Sequence, residues 1–217
     1  MEHPILRDKA YGTIKQKLLY REIQPGERIR EDLLAEEVSM SRTPVREAIS
    51  QLTTEGFIVS LPRKGLFSAS ITQEEMLDFL KIREVLEVLA IQECIQRVTD
   101  EEIGRLEELL ADYERVLTSG SRREASDLDG QFHMAIAELS KSKKLIRFIS
   151  EISDFMCLAR AKERPDLTPE EKEMSIRQHR SILEAIQRRD IPRAVEAMRA
   201  NILGMKRKLG LEEATME

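Results

Sequence analysis

At four places beyond residue 70 where a helical pattern begins, the chain sets Ser or Thr three places before Glu: Thr72 with Glu75, Thr99 with Glu102, Ser121 with Glu124, and Thr168 with Glu171. In this pattern the hydroxyl accepts an early backbone N–H of a starting helix, and the carboxylate reaches back to the N–H of the capping residue. Apolar residues at helical spacing follow, and strand signals vanish after Thr72. The spacing predicts six helical segments, roughly 72–98, 100–118, 121–139, 142–163, 168–188 and 190–209. "RPDLTPEEKE" is the one connection of any length, and "GLEEATME" at the end reads as frayed. A composition of 35% charged and 4% aromatic residues, without Trp, suits such a helical chain.

The first 70 residues are punctuated differently. "DKAYGTIKQKLLYREI" places Tyr11, Ile14, Leu18 and Leu19 at helical spacing, and Pro25-Gly26 stop it. "REDLLAEEV" is a second, short helix expected to bury Leu33, Leu34 and Val38. After the tight turn "SMS" comes "RTPVREAISQLTTEGF", in which Val45, Ala48, Ile49 and Leu52 form one apolar stripe. Arg42, Thr43, Arg46 and Ser50 fall opposite. Ser41 or Thr43 is the expected N-cap, Pro44 is tolerated in the first turn, and Gly56 closes the helix. Phe57–Leu61 and Leu66–Ser70 then read as two short strands joined by the tip "PRKG". Helix, helix, turn, helix, hairpin is the order of a winged helix-turn-helix. The expected architecture is mainly α: a winged module over 1–70, then an all-helical bundle of about six helices over 71–217.

A winged module implies double-stranded DNA. The major groove admits a helix, and an arginine fork matches the two acceptors of a guanine edge. Arg42 and Arg46 lie one turn apart at a helix start. Ser41 and Thr43 are suited to phosphate or base contact, and the wing tip Arg63-Lys64-Gly65 to the neighbouring groove or backbone. The net charge of −5 places any DNA contact on a local basic face, because the first 70 residues hold 11 Lys+Arg against 10 Asp+Glu. Cys94 and Cys157 are far apart and form no C-x-x-C pair, so they read as reduced thiols of a cytoplasmic protein. No apolar run has membrane-spanning length, and "MEHPILRDKAYG" is no signal peptide.

In the helical part, Asp129 and His133 are i, i+4 on one helix. His179 lies beside Ile182, Leu183 and Ile186, again facing inward. A metal site and a pair of hydrogen-bonded core histidines both satisfy this spacing.

"QPGERIREDLLAEEVSMSRTPVREAISQLTTEGFIVSLPRKGLF" resembles the DNA-binding half of the GntR family of bacterial transcription regulators. The resemblance implies that Arg42, Thr43, Arg46 and Gly65 meet an operator. Ser39 departs from it, standing where the turn usually carries glycine. "FLKIREVLEVLA", "DGQFHMAIAEL" and "QHRSILEAIQRRDIPRAVEAM" resemble the all-helical FCD effector domain of the FadR-type subgroup. In metal-containing members an aspartate and three histidines hold a divalent ion of the zinc, nickel or manganese kind. Asp129, His133 and His179 match three of these, and Asn201 stands in the place of the fourth. Arg83 matches an arginine facing the effector pocket, which favours a small organic acid or sugar acid. An ion pair of Arg83 with Glu84 or Glu87, or a solvated position, is the rival role. Arg160 and Arg177 are weaker pocket candidates.

The resulting expectation is a cytoplasmic homodimer that binds an inverted-repeat operator, as a repressor released by its effector. Two other classes compete: a metal-dependent, hydrolase-like helical enzyme fused to a DNA-binding module, and a helical scaffold that binds only protein. H-E-x-x-H, a Gly-rich phosphate loop and a nucleophile elbow are all missing from the chain, which disfavours the enzyme.

Overall fold

The computed structural model describes residues 2–160, 167–208 and 211. Among them are nine helices and three short strands: α1 (Glu2–Leu19), β1 (Arg28–Ile29), α2 (Glu31–Glu37), α3 (Arg42–Thr54), β2 (Ile58–Leu61), β3 (Gly65–Ser68), α4 (Gln73–Ile95), α5 (Asp100–Ser119), α6 (Arg122–Leu139), α7 (Lys143–Arg160), α8 (Pro169–Gln187) and α9 (Ile191–Lys208). The chain divides into two packed units. One holds residues up to Thr72 together with the end of α7 from Asp154, and the other holds the remaining helices. The terminal "GLEEATME", apart from Leu211, lies outside the described residues, as does much of the loop before α8.

In the first unit the apolar stripe of α3 is buried as its spacing requires: Val45, Ala48, Ile49 and Leu52 are at most 2% exposed. They meet Ala10, Ile14 and Leu18 of α1 and Leu34 and Ala35 of α2 in one core. Leu33, expected inside, is 49% exposed. The buried face of α2 runs through Leu34 and Ala35, so its neighbour Leu33 is turned outward. Phe57 stacks on Phe155, and Lys15 pairs with Asp154 at 2.7 Å, which fastens the end of α7 to this core. Between α2 and α3 the chain turns through Ser39 with φ 53°, the left-handed conformation that glycine adopts without strain. Ser41 is the N-cap of α3 by position, but its side chain makes no capping bond. Gly56, with φ 88°, ends the helix and starts the wing.

The wing has one more strand than its sequence pattern suggests. β3 pairs antiparallel with β2 and also with β1, giving the order β1-β3-β2, in which Ile29 faces Leu66 and Val59 faces Phe67. A two-residue strand carries no period of its own, so it is settled only by its partner.

In the second unit, three of the predicted capping boxes are made, at Thr99/Glu102, Ser121/Glu124 and Thr168/Glu171. The helices begin where these residues put them. Burial of Phe132, Ile136, Ala137, Ile182, Ala185, Ile186, Ala194 and Met198 joins α6, α8 and α9 in the interior. α4 is long and two-faced: Arg83, Glu87, Ala90 and Ile91 are buried, while Ile82, Val85 and Leu89 are exposed. No described helix is long and apolar enough to cross a membrane.

Candidate nucleic-acid interface and metal centre

The start of α3 is built to be offered outward. Pro44 and Val45 are buried and fix the first turn, while Ser41, Arg42, Thr43 and Arg46 are exposed around them. The Arg46 Nε donates to Glu31 Oε2 of α2 at 3.0 Å, so α2 orients a side chain of α3. The wing tip Pro62–Lys64 turns through Arg63, φ 63°, into Gly65, φ 107°, and Arg63, Lys64 and Gly65 are all exposed. A Cβ on Gly65 would lie 3.5 Å from Nε of Arg28, so the guanidinium of β1 sits beside the wing glycine. Arg28 and Arg30 flank the buried Ile29 and are exposed. They extend the basic edge beyond the residues found from sequence, and the alternation R-I-R was the signal for it. Such a helix end beside a basic wing has the form that enters a major groove and tracks the adjoining backbone.

The second constellation is inside the helical unit. Asp129 and His133 project from α6, His179 from α8 and Asn201 from α9, with His133, His179 and Asn201 at most 4% exposed. One ligand atom each from Asp129, His133 and His179 lies within 4.8 Å of the others. His179 Nδ1 donates to the Ser175 carbonyl at 2.8 Å, which leaves the lone pair on Nε2, 3.2 Å from Asp129 Oδ1. His133 Nδ1 is 2.5 Å from Glu87 Oε2, and a carboxylate accepts, so here too the lone pair falls on Nε2. His133 Nε2, His179 Nε2 and Asn201 Oδ1 are buried with no hydrogen-bond partner among the described residues. Buried acceptors clustered at a carboxylate repel one another and are costly. A cation satisfies all of them at once, so these residues fit a divalent ion. Of the two roles open to the histidines, core pairing leaves His133 Nε2 without a hydrogen-bond partner among the described residues. Tyr113 floors the site, its ring centroid 4.7 Å from that of His179 and its hydroxyl 2.7 Å from Ser175 Oγ.

Arg83 is deeply buried, and its Nε donates to Glu87 Oε1 while Nη1 reaches Met205 Sδ of α9 at 3.2 Å. Burial alone pushes the Glu87 carboxyl up, but Arg83 and His133 beside it reverse this and hold it at about 2. Burial likewise opposes the charge on Arg83, and Glu87 together with Asp129 more than offsets it. The ion pair with Glu87, the rival role read from the sequence, is thus the contact Arg83 makes. Glu87 is a site residue that spacing along one helix did not disclose. Arg177 points away, exposed and paired with Glu173, and the Arg160 side chain lies outside the described residues.

Comparison with known proteins gives a consistent picture. Residues 6–67 match the model of the bacterial regulatory proteins of the gntR family, and residues 78–203 match the FCD domain. The chain is 37% identical over 139 residues to the Nta operon transcriptional regulator of Aminobacter aminovorans, a match spanning 63% of this chain and 65% of that one, just under two thirds of its length. It is 30% identical over 200 residues to the HTH-type transcriptional repressor GlaR of Escherichia coli, covering 89% of this chain and 91% of that relative. Among solved structures, E. coli McbR/YncC superposes with a TM-score of 0.84 at 22% identity over 94% of this chain and 97% of that one, a likeness of fold. The matched families and relatives are regulators of transcription, not enzymes.

Proposed function

Because the chain belongs to the GntR family of bacterial regulatory proteins, carries an FCD domain and is a transcription regulator, we propose that it represses its target genes and is released by a small carboxylate bound at a metal centre in the helical unit. Arg42, Arg46, Ser41 and Thr43 would meet the operator in the major groove, and Arg63, Lys64 and Gly65 the neighbouring groove or backbone. Asp129, His133 and His179 would hold a divalent ion of the zinc, nickel or manganese kind, with the Asn201 amide oxygen as a fourth, weaker donor. The ion would supply a Lewis-acid position for one oxygen of the effector. Arg83, close enough to feel the Asp129 charge, adds a positive field that favours an organic acid or sugar acid over a neutral ligand. In kind, this is the FadR-type arrangement. The observation that carries this reading is the set of buried acceptors around Asp129, which one cation would satisfy together.

A regulator of an inverted-repeat operator works as a homodimer. The exposed apolar series Ile82, Val85 and Leu89 on α4 supports one, since isolated apolar residues are common on surfaces but a stripe at helical spacing is not. An effector shifts such a dimer only by preferring one of its geometries. GlaR carries the name of a repressor, which favours repression as the sign.

The test is a thermal-shift screen of the purified chain with Zn²⁺, Ni²⁺ and Mn²⁺, alone and with a panel of small carboxylates. Binding to duplexes selected from its own genome is then measured with each hit. The expected result is an ion-dependent rise in melting temperature and a carboxylate that weakens operator binding. If no ion raises the melting temperature and no carboxylate alters DNA binding, the proposal fails.

A further inference from the structure

The buried pair Arg83–Glu87 lies outside the group of donors that would touch an ion, yet it is the most expensive feature near them. Two opposite charges are removed from water on the inner face of α4, and the Glu87 carboxylate is shared between two partners. Oε1 receives Arg83 Nε, and Oε2 receives His133 Nδ1 across 46 residues of sequence. Arg83 in turn reaches Met205 on α9. A buried ion pair is poor evidence of stability, because apolar residues of similar volume would serve at least as well. The contact of Glu87 with His133 points instead to a task in the site beside it.

We propose that Glu87 is the positioning residue of the metal centre: it fixes His133 as the Nδ1–H tautomer, aims Nε2 at Asp129 and His179, and raises the donor strength of that nitrogen, while Arg83 holds Glu87 in place. His179 needs no such aid, because the Ser175 carbonyl, one turn earlier on α8, takes its Nδ1–H. The two histidines are therefore fixed in the same tautomer by different means. His179 is set within its own helix and His133 from α4. The consequence is that α4 belongs to the site. An ion drawing on His133 pulls on the Glu87 carboxylate, and so on the helix whose outer face carries Ile82, Val85 and Leu89. This inference rests on the metal reading above for its affinity consequence, but its tautomer consequence does not.

The chain has three histidines, so ¹⁵N-histidine long-range ¹H–¹⁵N spectra of the metal-free full chain are assignable by single His substitutions. The expected wild-type spectrum shows His133 with its proton on Nδ1. Glu87→Gln should mix the tautomers of His133 while leaving that of His179 unchanged. Zn²⁺ affinity, read by competition with a chromophoric chelator, should fall about 10–100-fold, and the visible spectrum of the Co²⁺-loaded chain should change. Glu87→Gln strands Arg83, so it is compared with Arg83→Met/Glu87→Gln, which removes both charges. That double variant should melt near the wild type and still show the weakened Zn²⁺ affinity. A wild-type His133 carrying its proton on Nε2, or a folded double variant with Zn²⁺ affinity within twofold of wild type, would overturn the proposal. If wild type binds no ion while its tautomer is as expected and shifts in Glu87→Gln, positioning stands and the metal reading fails.

Discussion

Arg46 on α3 donates through Nε to Glu31 on α2 at 3.0 Å, a bond that braces the stem and does not use its two terminal amino groups. A guanine edge offers two acceptors to such a pair, and a braced fork loses less freedom on meeting them. Arg46→Ala should weaken binding to a selected duplex by about 1–3 kcal/mol, and Arg42→Ala by a similar amount if it too reads a base. Glu31→Ala should relax discrimination at the base pair whose preference disappears in Arg46→Ala. Because it removes a negative charge near the phosphates, it should also raise affinity for random duplex. Selection from a random pool, followed by anisotropy titration at fixed salt, measures both. Unchanged operator affinity in Arg46→Ala would sink the assignment of α3 as the reading helix.

Metal content is the simplest check on the second constellation. His133→Ala or His179→Ala should cut ion affinity at least about tenfold, read by elemental analysis after gel filtration. Asn201→His replaces a neutral amide oxygen with an imidazole. It should therefore tighten Zn²⁺ and Ni²⁺ relative to Mn²⁺, since nitrogen donors favour the former. Equal metal content in all variants and the parent would remove the site.

What could be read ahead of the structure follows the range of the forces involved. The capping boxes at Thr99, Ser121 and Thr168 act within one turn, so they fixed the helix starts closely. The stripe of α3 and the inward positions of His133 and His179 also follow from one-dimensional spacing. Glu87 escaped because its task depends on α4 packing on α6, and β1 because two residues hold no period. Leu33 was misjudged since a two-turn helix with adjacent leucines does not say which one faces inward. The contact of Arg83 with Glu87 is one of several roles the sequence leaves open for that arginine, beside an ion pair with Glu84, a solvated position and an effector-facing one, and burial of both partners decides for it.

Val85 is the most exposed of the α4 series at 68%, and a homodimer formed there would bury it beside its own copy. Val85→Glu would then bring like charges together across the two-fold axis, costing several kcal/mol. Light scattering at micromolar concentration should show the parent as a dimer and the variant as a monomer with an unchanged helical circular dichroism spectrum. A variant that stays dimeric would place the interface elsewhere.

Ser39 is held at φ 53° between α2 and α3. An L-residue with a Cβ is strained there, and glycine is not, though glycine also gains freedom in the unfolded chain. Ser39→Gly should therefore stabilise the winged unit by about 1 kcal/mol at most, seen as a higher urea midpoint with the same slope. A lower midpoint would mean that the serine side chain contributes more than its strain costs.

Cys94 and Cys157 form no disulfide with each other, and they differ in burial. Burial, with Glu102 adding to it, pushes the Cys94 thiol from 9.0 up to about 12, against smaller opposing effects of Lys141 and Arg189. At pH 8 only about one part in ten thousand is thiolate, and the sulfur is out of reach of a reagent. The folded chain should therefore resist a disulfide reagent at Cys94, while half-buried Cys157 reacts first. Both should react at once in denaturant. The same shift has a sign for stability. Between about pH 9 and 12 the folded state keeps a proton that the unfolded state has released, so this contribution is present below pH 9 and is lost as the pH rises toward 12. Cys94→Ala should flatten that part of the alkaline stability curve. A native Cys94 labelled as fast as Cys157 would show that the core around α4 opens far more readily than its packing implies.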